Sequence, residues 1–284
     1  MYRIGVSSAG AALTDEMFKQ MHAAGISAME VSMAADGYKD INYKELEALS
    51  RKYGVELWSY HLPFHPFSEI DPSSLDGEIR KHTIEYFTEL IQKGSDIGID
   101  KFVVHPSGER IYDEERADRM KYSMESMDKL AEIAYQNGAC IAVEDLPRTC
   151  LGNTAEEILQ LISVNDKLRV CFDTNHLLKE DPIHFMDKVG DKIITVHISD
   201  FDFVNERHWL PGEGKIDWKA FMEKFNTIGY KGVWMYEIGL KCPKTILRDR
   251  DLTYVDFAEN AKCVFAGTKP PIFSRQKENL GWWE

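Results

Sequence analysis

The sequence predicts an α/β fold, a single-domain (β/α)8 barrel, on three observations. Short runs rich in Val, Ile and Phe alternate with longer stretches whose apolar residues recur every three or four positions, and eight such units follow one another. Strand alternating with helix implies parallel strands joined by right-handed crossovers. About 265 residues hold the eight units, roughly 33 apiece, which suits a barrel of about 250 residues. The competing fold, an open doubly wound sheet, finds no G-x-G-x-x-G after the first run.

The elements follow in order. The first strand covers 3–7, and Thr14 caps a helix over 14–24 that Gly25 ends. Strands at 28–32 and 56–61 flank a helix at 43–53, closed by Gly54. The amphipathic stretch 78–97 ends at Gly98 and leads to strand 101–105. Helix 114–136 stops before Gly138 and strand 140–144, and helix 155–163 precedes strand 169–173. Asp181 is an N-cap, Gly190 a helix end, and strand 193–197 follows. Asp217 caps helix 217–227, Gly229 ends it, and strand 232–237 and helix 254–265 complete the eighth unit. Each glycine stands where a helix needs the left-handed C′ conformation, which costs glycine no Cβ clash. The barrel is thus assigned to residues 1–267. Residues 268–284, with two adjacent prolines and a Gly-Trp-Trp-Glu end, are expected to pack on the barrel or at an interface.

Composition excludes several classes. Of 284 residues, 44% are hydrophobic and 29% charged, the balance of a folded globular chain. Lys and Arg number 34 against 47 Asp and Glu, a net charge of −13 that disfavours non-specific binding of nucleic acid. No uncharged apolar stretch of about 18 residues predicts a membrane span. The opening MYRIGVSSAG lacks the pattern of an export signal. Five cysteines, an odd count with no C-x-x-C, point to a reducing compartment, so the cytoplasm is the expected location.

The chemistry collects where the apolar runs stop. His61, His105, Glu144, Asp173, His197 and Glu237 all fall at strand ends. In a barrel those ends converge on one mouth. One such residue reads as a cap or a hydrogen-bonded loop residue; six on one rim do not. Like carboxylates side by side are costly unless a cation neutralises them. A divalent ion held by Glu144, Asp173, His197 and Glu237 resolves that conflict. Three carboxylates and one imidazole suit Mn²⁺, Mg²⁺ or Co²⁺, with Zn²⁺ a further candidate.

Val143-Glu144-Asp145, Asp173-Thr174-Asn175-His176, His197-Ile198-Ser199-Asp200 and Tyr236-Glu237 resemble the xylose isomerase-like TIM-barrel superfamily. That group includes sugar isomerases, ketose 3-epimerases, related dehydratases and endonuclease IV. The segment from His208 through Pro211-Gly212-Glu213-Gly214 to Ile216-Asp217 is similar to the H-x-x-P-G-x-G-x-I-D of its sugar phosphate isomerase/epimerase branch. The resemblance implies that Glu144, Asp173, His197 and Glu237 ligate the metal, Mn²⁺ foremost. It implies that Glu144 and Glu237 are also the acid/base pair on opposite faces of the sugar, and that His176 contacts substrate oxygens. The epimerases place an arginine shortly after the third-ligand histidine; here the first is Arg207. Endonuclease IV adds histidines for three metals, and His61, His105, His176 and His208 match those positions, with Glu206-Arg207-His208 standing for its D-x-H. Against a nuclease, the loops Leu62-Pro63-Phe64-His65-Pro66-Phe67 and Pro106-Ser107-Gly108-Glu109 carry little positive charge. His61, His105, His176, Arg207 and His208 therefore form the expected substrate-binding set.

The expectation is a metal-dependent sugar or sugar-phosphate isomerase/epimerase, with proton transfer through a cis-enediolate by two glutamates. A dehydratase of a sugar or polyol derivative on the same site and an endonuclease-IV-like phosphodiesterase are the alternatives, and a sugar-binding barrel without catalysis is a third. A homo-oligomer is left open. Cys140 and Cys171 read as core, His65, His82 and His184 as surface or packing residues, and Trp58, Trp209, Trp218 and Trp234 as core or pocket wall.

Overall fold

A computed structural model of the chain describes residues 2–277. The strands are β1 (Arg3–Ser7), β2 (Ala28–Val31), β3 (Glu56–His61), β4 (Lys101–Val104), β5 (Cys140–Glu144), β6 (Arg169–Asp173), β7 (Ile193–His197) and β8 (Val233–Tyr236). They form one sheet in the order β7-β6-β5-β4-β3-β2-β1-β8, every paired neighbour parallel. Closure comes one residue past β7: Ile198 N donates to Met235 O (2.8 Å), and Glu237 N donates to Ile198 O (3.3 Å). The chain is a (β/α)8 barrel.

The helices are α1 (Asp15–Ala23), α2 (Tyr43–Tyr53), α3 (Gly77–Asp96), α4 (Arg116–Gln136), α5 (Ala155–Ile162), α6 (Pro182–Val189), α7 (Trp218–Phe225) and α8 (Tyr254–Phe265). The expected caps are in place. Thr14 accepts from Met17 N, Asp181 from Ile183 and His184 N, and Asp217 from Lys219 and Ala220 N. Gly25, Gly54, Gly98, Gly138 and Gly229 have positive φ. Gly190 does not: its φ is −53°, and it opens a 3-10 turn. A Cβ there would lie 2.7 Å from Ile228 Cγ2, so close packing, and not a left-handed turn, requires glycine at this helix end.

Apolar helix faces pack on the outside of the barrel, and the interior is filled separately. Ala28, Trp58, Val233 and Met235 make one inner cluster; Val103, Ala142 and Cys171 make another. Trp58 plugs the end where the strands begin. Its Nε1 donates to Thr195 Oγ1 (3.1 Å), with the Lys101 ammonium 3.8 Å and the Arg3 guanidinium 5.3 Å from its ring centre. One end is therefore sealed, and the chemistry gathers at the other.

Two short strands lie outside the barrel sheet. β9 (Ile246–Arg248) pairs antiparallel with β10 (Ser274–Gln276). Of the segment 268–284, residues 278–284 lie outside the described residues. Pro270 packs by Gly212, and Gln276 Nε2 donates to Glu213 O (2.9 Å). The five cysteines are free thiols. No described helix is long and apolar enough to cross a membrane.

Candidate active site

Strand pleat decides which side chains reach the mouth. Alternate residues face the barrel interior, so Ala142 and Glu144 share a face on β5, as do Cys171 and Asp173 on β6. Each strand thus delivers its last inward residue to the rim. Glu144, Asp173 and His197 are fully buried, and His61 nearly so.

Glu144 is the hub. Its Oε1 lies 2.8 Å from His197 Nδ1, and its Oε2 lies 3.1 Å from both His61 Nε2 and His105 Nε2. His197 Nδ1 is also 3.6 Å from Glu237 Oε2 and 3.8 Å from Asp173 Oδ2. Asp173 is held rigidly: its N donates to Asp145 Oδ1 (2.7 Å), and its Oδ1 accepts from Asn175 N (2.6 Å). Its Oδ2 is buried and takes no hydrogen bond. An orphaned buried anionic oxygen is costly without a counter-charge. Donor atoms of Glu144, Asp173, His197 and Glu237 lie within 4.8 Å of one another, so these four fit a divalent cation. His61, His105 and Glu144 form a second such group, and His176, Glu206 and His208 a third.

Above this floor a chain of ion pairs crosses the mouth. His176 Nδ1 donates to Asp145 O (2.7 Å), and its Nε2 meets Glu206 Oε1 (2.9 Å). Glu206 Oε2 accepts from Arg148 Nη1 (2.6 Å), while Arg148 Nε and Nη2 make a fork to Glu109, each 2.8 Å. Loops after four successive strands, β4 to β7, are tied together this way. A cavity of about 390 Å³ lies there, walled on its apolar side by Phe64, Phe67, Leu146 and Pro147.

The expected set comes together with one displacement. His61, His105, His176, His208, Glu144 and Glu237 line the cavity, whereas Arg207 does not. The Arg207 side chain is buried, donates from Nε to Asp202 Oδ2 (2.9 Å), and fixes the loop as its N donates to Asn175 Oδ1 (3.0 Å). His65, read from sequence as a surface or packing residue, lines the cavity beside Phe64 and Phe67. Trp58, Trp209, Trp218 and Trp234 are buried and do not line it. Sequence reasoning passed over Glu30, Glu109 and Arg148. Glu30 had a signal, an acid inside the apolar run Ala28-Met29-Glu30-Val31. Arg148 had none, because its partners lie on other loops.

Environment sets the protonation. Burial resists ionisation of Glu144, but the charges of His197 and His105 outweigh it and hold the carboxyl well below its ordinary value. Burial pushes Glu237 up to about 7. Burial also opposes charge on His61, yet Glu144 raises it to about 9; His105, where burial wins, falls to about 4. Glu206 is desolvated too, but His176 and Arg148 keep it below the carboxylate range.

The Pro211-Gly212-Glu213-Gly214 segment frames this rim. Asp200 Oδ2 accepts from Gly212 N (2.8 Å) and Trp218 Nε1 (2.8 Å), and Oδ1 from Ile216 N (3.1 Å). A Cβ on Gly214 would collide with Asp200 Oδ1 and the Phe201 backbone. Glu213 is locked by buried Arg248 on β9, whose Nη2 donates to Oε2 (2.5 Å).

Known proteins are similar to this chain in sequence and in fold. A sequence profile of the xylose isomerase-like TIM barrel matches residues 18–252. The chain is 29% identical over 210 residues to a D-psicose 3-epimerase of Ruminiclostridium cellulolyticum, covering 69% of this chain and 67% of that one. It is 28% identical over 210 residues to a probable endonuclease 4 of Acholeplasma laidlawii, covering 67% and 70%. A solved D-tagatose 3-epimerase-like protein superposes with a TM-score of 0.74 at 28% identity, over 84% of this chain and 91% of that one. With most of its length matched by one profile and the barrel closed around the rim that its motifs marked, the chain belongs to the xylose isomerase-like TIM-barrel family.

Proposed function

We propose that this protein is a divalent-metal-dependent sugar isomerase or epimerase that moves a proton through Glu144 and Glu237. The observation that carries the reading is the placement of these two carboxylates. One ends β5 and the other follows β8 directly, strands separated by β6 and β7, and both line one cavity while approaching His197 Nδ1 at 2.8 and 3.6 Å. With no ion bound, the histidine charges hold Glu144 toward the anion while burial and the neighbouring carboxylates hold Glu237 toward the neutral acid; a cation shared by the two would favour the anion of both.

Glu144, Asp173, His197 and Glu237 would hold one divalent ion, Mn²⁺ in the first instance, with Mg²⁺, Co²⁺ and Zn²⁺ admitted by the same donors. The ion, when bound, polarises a substrate carbonyl and acidifies the neighbouring C–H. One glutamate takes that proton, and the other returns a proton from the far side of the resulting enediolate. Return to the same carbon gives an epimer; return to its neighbour gives an isomer. Loss of a β-hydroxyl in place of that return would make the same site a dehydratase. His176, oriented through Nδ1 by Asp145 O, has its Nε2 on Glu206 Oε1 at the cavity wall, and it would reach a substrate oxygen by exchanging that partner. Phe64 and Phe67 give a sugar an apolar face to lie against and displace water. The names of the relatives, D-psicose 3-epimerase and D-tagatose 3-epimerase-like protein, support a ketose. The free thiols agree with a cytoplasmic site of action.

A second reading has its own observation. The groups His61–His105–Glu144 and His176–Glu206–His208 could hold two further ions, and such a centre suits phosphodiester hydrolysis of the endonuclease IV kind. Arg148, the arginine lining the cavity, is already engaged by Glu109 and Glu206, which disfavours a DNA backbone at this mouth.

The test is a ketose panel in D₂O with metal analysis of chain purified without chelator. Deuterium at the exchanging carbon, with about one ion per chain, supports the first reading. Cleavage of an abasic-site duplex without ketose turnover, with two or three bound zinc ions, overturns it. Tight sugar binding without exchange would leave a binding barrel.

A further inference from the structure

Glu30 belongs to none of the groups that could hold a metal, and neither base nor acid chemistry needs it. It is fully buried inside the barrel on β2, where an ionised acid without a partner is strongly disfavoured. Its Oε2 accepts from Ser59 Oγ (2.8 Å) on β3 and lies 3.0 Å from His197 Nε2. Its Oε1 is buried without a hydrogen bond, so His197 and Ser59 are what hold this carboxylate in place. His197 is thereby gripped at both nitrogens. Nδ1 faces Glu144, Asp173 and Glu237, and Nε2 faces Glu30.

A neutral imidazole carries one proton, and the stronger fixed acceptor on one nitrogen decides which lone pair is left on the other. A carboxylate behind a ligating histidine fixes its ring and makes it a better donor. We propose that Glu30 is the positioning residue of this centre: it takes the hydrogen bond from His197 Nε2–H and leaves the Nδ1 lone pair turned toward Glu144, Asp173 and Glu237. Ser59 sets Glu30 in turn, so β2 and β3, which give no ligand to the four-residue set, orient the one imidazole in it. The inference rests on the metal site of the proposed function but not on its sugar chemistry.

The experiment reads metal binding and ring chemistry, not turnover. Full-length chain stripped of metal is titrated with Mn²⁺ in competition with a fluorescent chelator, as wild type and as Glu30→Gln. Glutamine keeps the size and one acceptor oxygen but carries no charge, so affinity should fall about 10–100-fold. Side-chain ¹⁵N NMR of the wild type, loaded with diamagnetic Zn²⁺, should show His197 protonated at Nε2, a readout that requires no variant to fold. Wild-type Mn²⁺ affinity in Glu30→Gln, or a loaded wild type with His197 protonated at Nδ1, overturns the inference while leaving the sugar reading standing. A positive result together with no exchange on any ketose overturns only the sugar reading. A wild type that binds no Mn²⁺ or Zn²⁺ overturns both.

Discussion

Glu144 and Glu237 illustrate how much a single carboxylate's role depends on its neighbours. Both end inward-facing strand positions, yet one is ringed by imidazoles and the other chiefly desolvated. Glutamine retains a carbonyl donor but cannot accept a proton near neutral pH. Glu144→Gln and Glu237→Gln should keep weak metal binding in excess Mn²⁺ and lose turnover by about 10²-fold or more, measured as kcat on the exchanging ketose. Near-normal kcat in both, once saturated with metal, would rule out the two-glutamate proton transfer. Asp173→Asn is expected to fail differently. It removes charge from the oxygen left orphaned in the site, so metal content falls and excess ion restores part of the rate. At this scale the sequence was informative wherever a residue's place on a strand was enough. His61, His105, Glu144, Asp173, His197 and Glu237 are rim residues because the apolar run simply stops there. Arg207 shows the limit: its number in the loop says nothing of Asp202 and Asn175, which hold it away from the cavity.

Among the elements, the loop after β7 does the framing. Gly214 is glycine for want of space, not for its φ, since a Cβ would strike Asp200 Oδ1 and the Phe201 backbone. Gly214→Ala should therefore cost about 1–3 kcal/mol of stability in urea unfolding, with loss of activity from a displaced Pro211–Gly214 turn. At the start of α8, Asp256 Oδ2 accepts from Thr253 N (2.7 Å) and Thr253 Oγ1 (2.8 Å), and Arg250 Nη2 donates to Oδ1 (2.6 Å). Arg250 first, then these capping bonds, keeps the Asp256 carboxyl below its ordinary value. Asp256→Asn should cost about 1 kcal/mol near neutral pH. The depressed carboxyl stabilises the fold fully above the unfolded value of about 3.9, and that advantage fades as pH falls through the lower folded value. The gap between wild type and variant in chemical denaturation should thus stay constant from neutral pH down to the unfolded value and narrow below it. Helix ends were legible from single residues such as Thr14 and Asp217. The β9–β10 pairing was not, because Ile246–Arg248 and Ser274–Gln276 are too short to carry a periodic pattern.

For the whole molecule, a cation at the rim would join four adjacent strand ends, β5 to β8, across the seam that closes through Ile198. Such an ion binds the folded barrel and not the open chain. At about 100 times its dissociation constant it adds roughly 2.7 kcal/mol. In a chain of this length that is on the order of 4–5 °C in Tm. Stripping with EDTA should lower Tm by this amount and added Mn²⁺ should restore it, followed by calorimetry. An unchanged Tm would mean that no ion of useful affinity bridges those strands.

Periodicity, spacing and punctuation determined the barrel by themselves, because each unit buries its own apolar face by a rule local in sequence. They determined the rim as well, because strand pleat carries the last inward residue of each run to the same mouth. Tertiary structure alone decided which rim residues meet. Glu144 touching three histidines, Arg148 bridging Glu109 and Glu206, and Glu30 behind His197 are pairings between residues from 39 to 167 positions apart. A side chain's charge partner is set by where the closed sheet brings other strands, and no local pattern in the chain encodes that distance.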